Sequence, residues 1–120
     1  MIINLRLILL THKNYLHLIC KKKDKMSIIK NTNVLITGGA NGIGKLMGAK
    51  CLQEGAANLI IWDINEENLN KTAKEFSSKG YKNVFTFVVD VSNIDDIERA
   101  ATEVLLEIGN IDILFNNAGI

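Results

Sequence analysis

Thr37–Gly38–Gly39–Ala40–Asn41–Gly42–Ile43–Gly44 decides how this chain folds. It follows a short β-branched run, Asn33–Val34–Leu35–Ile36–Thr37. It precedes Ile43, Leu46, Met47 and Cys51, which recur at helical spacing until Gly55. A strand that passes through glycine into a helix has specific needs. Gly38, Gly42 and Gly44 can meet them: one allows the sharp turn, one lets backbone approach a pyrophosphate, and one permits close helix–strand packing. The helix then presents free N–H groups and the positive end of its dipole to a phosphate.

The same alternation continues downstream. Leu59–Ile60–Ile61–Trp62 is a second apolar run ending at Asp63. Leu69, Ala73 and Phe76 form the next helical face, closed by Gly80. Val84 to Val89 reads as a third strand. Ser92 with Asp95 predicts a capping box for a helix whose face is Ile94, Ile97, Ala101, Val104, Leu105 and Ile108, stopped by Gly109. Ile111 to Phe115 reads as a fourth strand. Apolar strands separated by helices mean a parallel sheet covered on both faces. Right-handed crossovers give the order 3-2-1-4, with the reversal of winding between strands 1 and 4. Ligands of such sheets sit at the carboxyl ends of the strands, at that reversal.

Composition sets the outer limits. The chain has 120 residues, 48% hydrophobic and 22% charged, with no proline and a net charge of +1. That suits one globular domain and gives the whole chain no polyanion-binding character, so no nucleic-acid partner is expected. The charge is uneven. Residues 1–30 carry seven basic side chains against one acid, Asp24, whereas 31–120 carry seven against twelve. Residues 1–30 are therefore expected to be a basic, disordered or mistranslated leader, with Met26 a candidate start, and 31–120 the organised unit. The apolar stretches 1–10 and 15–20 are broken by charge and are too short for a membrane span or a signal peptide. Lys21–Lys22–Lys23–Asp24–Lys25 leaves peripheral membrane contact as an alternative to a solvated tail. The two cysteines, Cys20 and Cys51, form no CxxC, so the expected setting is reducing and cytoplasmic. His12 and His17 have no acidic or cysteine neighbour, and no metal site is expected.

Asp63 refines the ligand. A carboxylate at the end of strand 2 accepts hydrogen bonds from adenosine ribose hydroxyls and repels a 2′-phosphate, favouring NAD over NADP. Its bland alternative is a helix cap. A P-loop also competes, because Gly39 to Lys45 fits G-x-x-x-x-G-K. Leu46, however, stands where the magnesium-holding hydroxyl belongs. A methyltransferase would likewise use a glycine loop and an acid after strand 2.

In these motifs the sequence resembles the short-chain dehydrogenases/reductases, in the branch whose glycine loop reads TGxxxGxG. Thr37 to Gly44 supply that loop, and Asn116–Asn117–Ala118–Gly119 is similar to the family's NNAG segment after strand 4. Asp90–Val91 is similar to the segment whose acid meets adenine. The resemblance covers 32–120 and argues against the methyltransferase. Trp62–Asp63–Ile64–Asn65 is similar to the branch of 17-beta-hydroxysteroid and epidermal retinol dehydrogenases. The resemblance implies a Rossmann-like doubly wound α/β sheet, incomplete at four strands. It implies NAD(P)-dependent interconversion of an alcohol and a carbonyl, with a small-molecule substrate. Gly38, Gly42, Ile43 and Gly44 would contact the pyrophosphate, Asp63 the ribose, and Asp90 and Val91 the adenine. Asn116, Ala118 and Gly119 would lie along the inner ribose and nicotinamide, with Asn116 also steadying the strands.

One departure is decisive for catalysis. The family's acid/base is a tyrosine activated by a lysine four residues on, with a serine orienting the carbonyl. Here Tyr15 is followed at that spacing by Ile19, and Tyr81 by Phe85. Catalytic residues are expected beyond Ile120, and so is the family's oligomer interface. The 120 residues alone are expected to transfer no hydride. A non-catalytic nucleotide-binding module is the alternative. Strand 4 is expected to be an apolar edge prone to aggregation.

Overall fold

The computed structural model describes residues 28–118. Gly119, Cys20, His12, His17, Met26 and the basic run 21–25 lie outside the described residues. The elements are β1 (Asn33–Thr37), α1 (Gly42–Gln53), β2 (Asn58–Asp63), α2 (Glu66–Ser78), β3 (Val84–Val88), α3 (Ile94–Glu107) and β4 (Ile113–Asn116). They form one parallel sheet in the expected order β3-β2-β1-β4. Its register puts Phe87, Trp62, Thr37 and Asn116 in one row across the carboxyl ends of the strands. None of the helices among the described residues is long and apolar enough to cross a membrane.

Strand alternation divides the core between two faces. Val34, Ile36, Leu59, Ile61, Ile113 and Phe115 meet Met47 and Cys51 of α1 and Leu69 and Phe76 of α2. Leu35, Ile60 and Trp62 meet Ala100, Ala101 and Val104 of α3 on the other face. Each such fully buried large side chain contributes roughly 1.5–3 kcal/mol. The winding reversal between β1 and β4 leaves a crevice at their carboxyl ends, where the glycine loop emerges.

Several local expectations are corrected. On α1, Ile43 and Leu46 are 44% and 46% exposed, while Gly44, Met47, Gly48, Cys51 and Leu52 face inward. The helix lies so close to the sheet that a Cβ on Gly48 would come 3.1 Å from Leu59 Cδ2, so glycine rather than a large side chain faces inward. On α2 Thr72 is buried with Leu69 and Phe76, and Ala73 is only half-buried. On α3, Ile94 is exposed, and the cap is Asn93 instead of Ser92: Asn93 Oδ1 accepts from the amides of Asp95 (3.0 Å) and Asp96 (3.2 Å). β3 ends one residue early, at Val88, and β4 begins at Ile113, although Ile111 is buried just before it. β4 is one of the two edges of the sheet, opposite β3, and among the described residues it pairs with β1 alone. Its side chains Ile113 and Phe115 are nonetheless covered. Ile29, counted with the basic leader in the sequence, is fully buried in the α1 and α2 core.

Candidate functional site

At the end of β1 the chain stays paired for one more step: the amide of Gly38 donates to Trp62 O at 2.7 Å. It then turns into α1, whose cap Asn41 accepts from the Gly42 amide at 2.8 Å. Gly44 sits on the first turn of that helix. A Cβ there would lie 2.3 Å from Gly38 O and 2.5 Å from Asn117 Nδ2, so this position has no room for a side chain. Gly42 has nothing within 4 Å of such a Cβ but has φ +56°, a conformation that glycine reaches without strain. The two glycines are required for different reasons. Gly42 leaves bare backbone exposed at the helix N-terminus, where a pyrophosphate can approach, and Gly44 lets the first turn pack against Gly38.

The loop is held from β4. The buried Thr37 hydroxyl accepts from the amides of Asn117 (3.1 Å) and Ala118 (3.0 Å) and lies 3.4 Å from Asn116 Oδ1. Asn117 Nδ2 donates to Gly38 O at 3.0 Å. Asn117 thus fastens the glycine loop directly, while Asn116 touches it only through Thr37.

A cleft of about 260 Å³ opens at these strand ends, lined by Gly38, Trp62, Asp63, Ile64, Val89, Asp90, Val91, Ser92 and Ala118. Ligand pockets run from about 300 to 1,000 Å³, and this cleft lies just below that range. Five residues singled out in the sequence converge on it: Gly38, Asp63, Asp90, Val91 and Ala118. Gly42, Ile43, Gly44 and Asn116 stand outside its lining, in the adjoining loop and strand end. Trp62 is packed, at 3% exposure among the α3-side core, and also forms part of the cleft wall.

The carboxylates at the rim are pre-set by backbone. Asp63 Oδ2 accepts from the Ala40 amide and Oδ1 from the Asn65 amide, each at 3.1 Å. A carboxylate has about four acceptor positions, so each oxygen keeps capacity for a hydroxyl. The helix cap next to it is Asn65, not Asp63. Asp90 Oδ1 takes the amide (2.9 Å) and hydroxyl (2.6 Å) of Ser92, and its own amide donates to Asp96 Oδ2 at 2.7 Å. Asp96 in turn binds Arg99, which also donates to Val88 O at 3.0 Å. This Asp96–Arg99 clamp holds the turn carrying Asp90, and nothing in the sequence spacing singles it out.

The clamp carries a pH signature. The Asp90 amide, and then Arg99, hold the Asp96 carboxyl below the usual carboxylate range. A lowered folded-state pKa stabilises the fold fully above the unfolded value near ~4, and that stability is lost as pH falls through the lower folded value. Melting temperature measured from pH 6 down to 2.5 should therefore fall less steeply in Asp96→Asn than in the wild type. Equal slopes would remove the clamp from the acid response.

The P-loop alternative fares poorly. Lys45 Nζ is ion-paired with Glu75 of α2, in a groove between α1 and α2, and does not line the cleft. Among the described residues no group of three or more His, Cys, Asp or Glu is placed to hold a metal ion.

Comparison with known proteins agrees with this geometry. A family model described as short chain dehydrogenase matches residues 32–120. The bovine protein named short-chain dehydrogenase/reductase family 16C member 6 is 43% identical over 100 residues, covering 83% of this chain and 30% of that protein. Human estradiol 17-beta-dehydrogenase 11 is 40% identical over 114 residues, covering 95% of this chain and 37% of that protein. Among solved structures, NAD+-bound xylitol dehydrogenase superposes with a TM-score of 0.71 at 29% identity, over 78% of this chain and 35% of that one. L-sorbose reductase from Gluconobacter frateurii, complexed with NADPH and L-sorbose, gives 0.70 at 27% identity, over 76% and 34%. The chain thus spans about a third of the length of the curated relatives it matches. With the β3-β2-β1-β4 sheet, the glycine turn and the acid-rimmed cleft in place, the chain belongs to the short-chain dehydrogenase family.

Proposed function

We propose that these residues form the dinucleotide-binding part of an NAD-dependent oxidoreductase that interconverts a small-molecule alcohol and its carbonyl. The observation that carries this reading is the Asp63 carboxylate, fixed at the cleft rim by two backbone amides with acceptor capacity left over. Asp63 receives the ribose hydroxyls, and its charge disfavours a 2′-phosphate. The free oxygen of Asp90 suits the exocyclic amine of adenine, with Val91 against the ring. Gly38, Gly42, Ile43 and Gly44 admit the pyrophosphate to the α1 N-terminus. Asn116 and Ala118 lead toward the nicotinamide, which when bound supplies the hydride chemistry. A reducing, cytoplasmic setting suits the buried thiol of Cys51.

The 120 residues contain no Tyr-x-x-x-Lys, so by themselves they are expected to bind nucleotide without turnover. Isothermal titration tests this. NAD and ADP-ribose should bind competitively, and nicotinamide mononucleotide, which lacks the adenosine, should bind far more weakly. No NADH should appear with any alcohol. Absence of ADP-ribose binding would overturn the nucleotide site, and NADH formation would overturn the view that the acid/base is missing.

A further inference from the structure

Thr72 is one of two buried polar residues among those described, at 1% exposure, and the other is Thr37. It lies between Leu69 and Phe76 on the inward stripe of α2, where an aliphatic side chain would pack as well. A hydroxyl there is costly unless bonded. The usual outlet for a helical threonine is the carbonyl four residues back. Thr102 on α3 does this, donating to Glu98 O at 2.9 Å. Thr72 instead crosses to the glycine loop and donates to Ala40 O at 2.8 Å.

That bond falls on the residue whose own amide meets the rim carboxylate, one peptide unit further along the chain. The Ala40 amide donates to Asp63 Oδ2, and the Asn65 amide donates to Asp63 Oδ1. Asn65 is also the cap of α2, accepting from the Asn68 amide at 2.9 Å. α2 therefore braces both oxygens of one carboxylate. It reaches Oδ1 from its cap and Oδ2 through Thr72 and Ala40, two helical turns further on. Thr72 itself is not in the cleft lining.

We propose that Thr72 is a positioning residue that sets the discrimination between NAD and NADP by holding the Asp63 carboxylate in place through Ala40. The proposal rests on the reading of Asp63 as the ribose acceptor. A carboxylate braced on both oxygens cannot swing away from a 2′-phosphate. Releasing the Oδ2 brace lets it rotate, which lowers the penalty against NADP and loosens the hold on the NAD ribose.

The test compares wild type, Thr72→Val, Thr72→Ala and Thr72→Ser by titration with NAD and with NADP, alongside melting temperature. Thr72→Val keeps shape and removes the donor. It should reduce the NAD-over-NADP affinity ratio by roughly threefold to tenfold, the span of one hydrogen bond. Thr72→Ala cuts the same bond without filling the space and should shift the ratio likewise, should the valine variant not fold. Thr72→Ser, which keeps the hydroxyl, should restore the ratio. A drop in melting temperature with an unchanged ratio in Thr72→Val or Thr72→Ala would make Thr72 merely structural and overturn the proposal. A wild type that binds both dinucleotides equally would overturn the Asp63 reading, and the proposal with it.

Discussion

A Gly44→Ala chain is expected to melt about 10 °C below the wild type, at roughly 4 °C per kcal/mol for a domain of this size. It is also expected to lose measurable NAD binding. The cause is a single methyl group. It would arrive 2.3 Å from the Gly38 carbonyl oxygen and 2.5 Å from Asn117 Nδ2. The carbonyl belongs to backbone and cannot rotate away, so α1 must move off the sheet. Overpacking of this kind costs about 1–3 kcal/mol, and the 3.0 Å bond from Asn117 to Gly38 goes with it, at about 1 kcal/mol. The N–H groups offered to the pyrophosphate are displaced by the same movement. Gly42 is the control. Its Cβ would meet nothing, and its φ of +56° penalises alanine by only about 1–2 kcal/mol. Gly42→Asn, which tolerates that region, should be milder still. Thermal unfolding followed by circular dichroism, with NAD titration, ranks the three. If Gly44→Ala matches the wild type in both readouts, close approach of loop and helix is not what the motif is for.

The contrast between these glycines shows what a sequence can carry. Strand order was legible because β2 is apolar from Leu59 to Trp62 and the helices between strands announce their period. The inward side of α1 was misread because its contact residues include Gly44 and Gly48, which have no hydropathy to signal burial, while Ile43 and Leu46 do. Ser92 and Asn93 are equally good caps on paper. The choice falls to Asn93 because Asp90 engages both the amide and the hydroxyl of Ser92. Asn116 and Asn117 are the same residue type, and only the end of β4 turns the second one back onto Gly38. Nothing in the sequence sets Thr72 apart from any other helical threonine. Its partner is 32 residues away, across a fold that must exist before the contact does. What was legible is local pattern. What was not is the set of hydrogen bonds made between segments.

Asp63→Ala should reverse the cofactor preference, with NAD affinity falling about 100-fold and NADP affinity rising above that of the wild type. Two ribose hydroxyls donating to a carboxylate contribute about 3 kcal/mol together, and every 1.4 kcal/mol is about tenfold. The gain for NADP has a separate origin. A carboxylate about 4 Å from a phosphate charge costs about 4 kcal/mol at the effective dielectric of a protein surface. Removing the carboxylate abolishes that cost. The variant will also lose stability, because the amides of Ala40 and Asn65 lose their acceptor. Destabilisation alone weakens both ligands together, so it cannot raise affinity for one of them. Competition titrations at a temperature where the variant remains folded therefore separate the two effects. If NADP binding falls in parallel with NAD, Asp63 is a brace for the loop and the ribose is read elsewhere. If NADP rises while NAD falls, the carboxylate at the end of β2 is the element that chooses the dinucleotide.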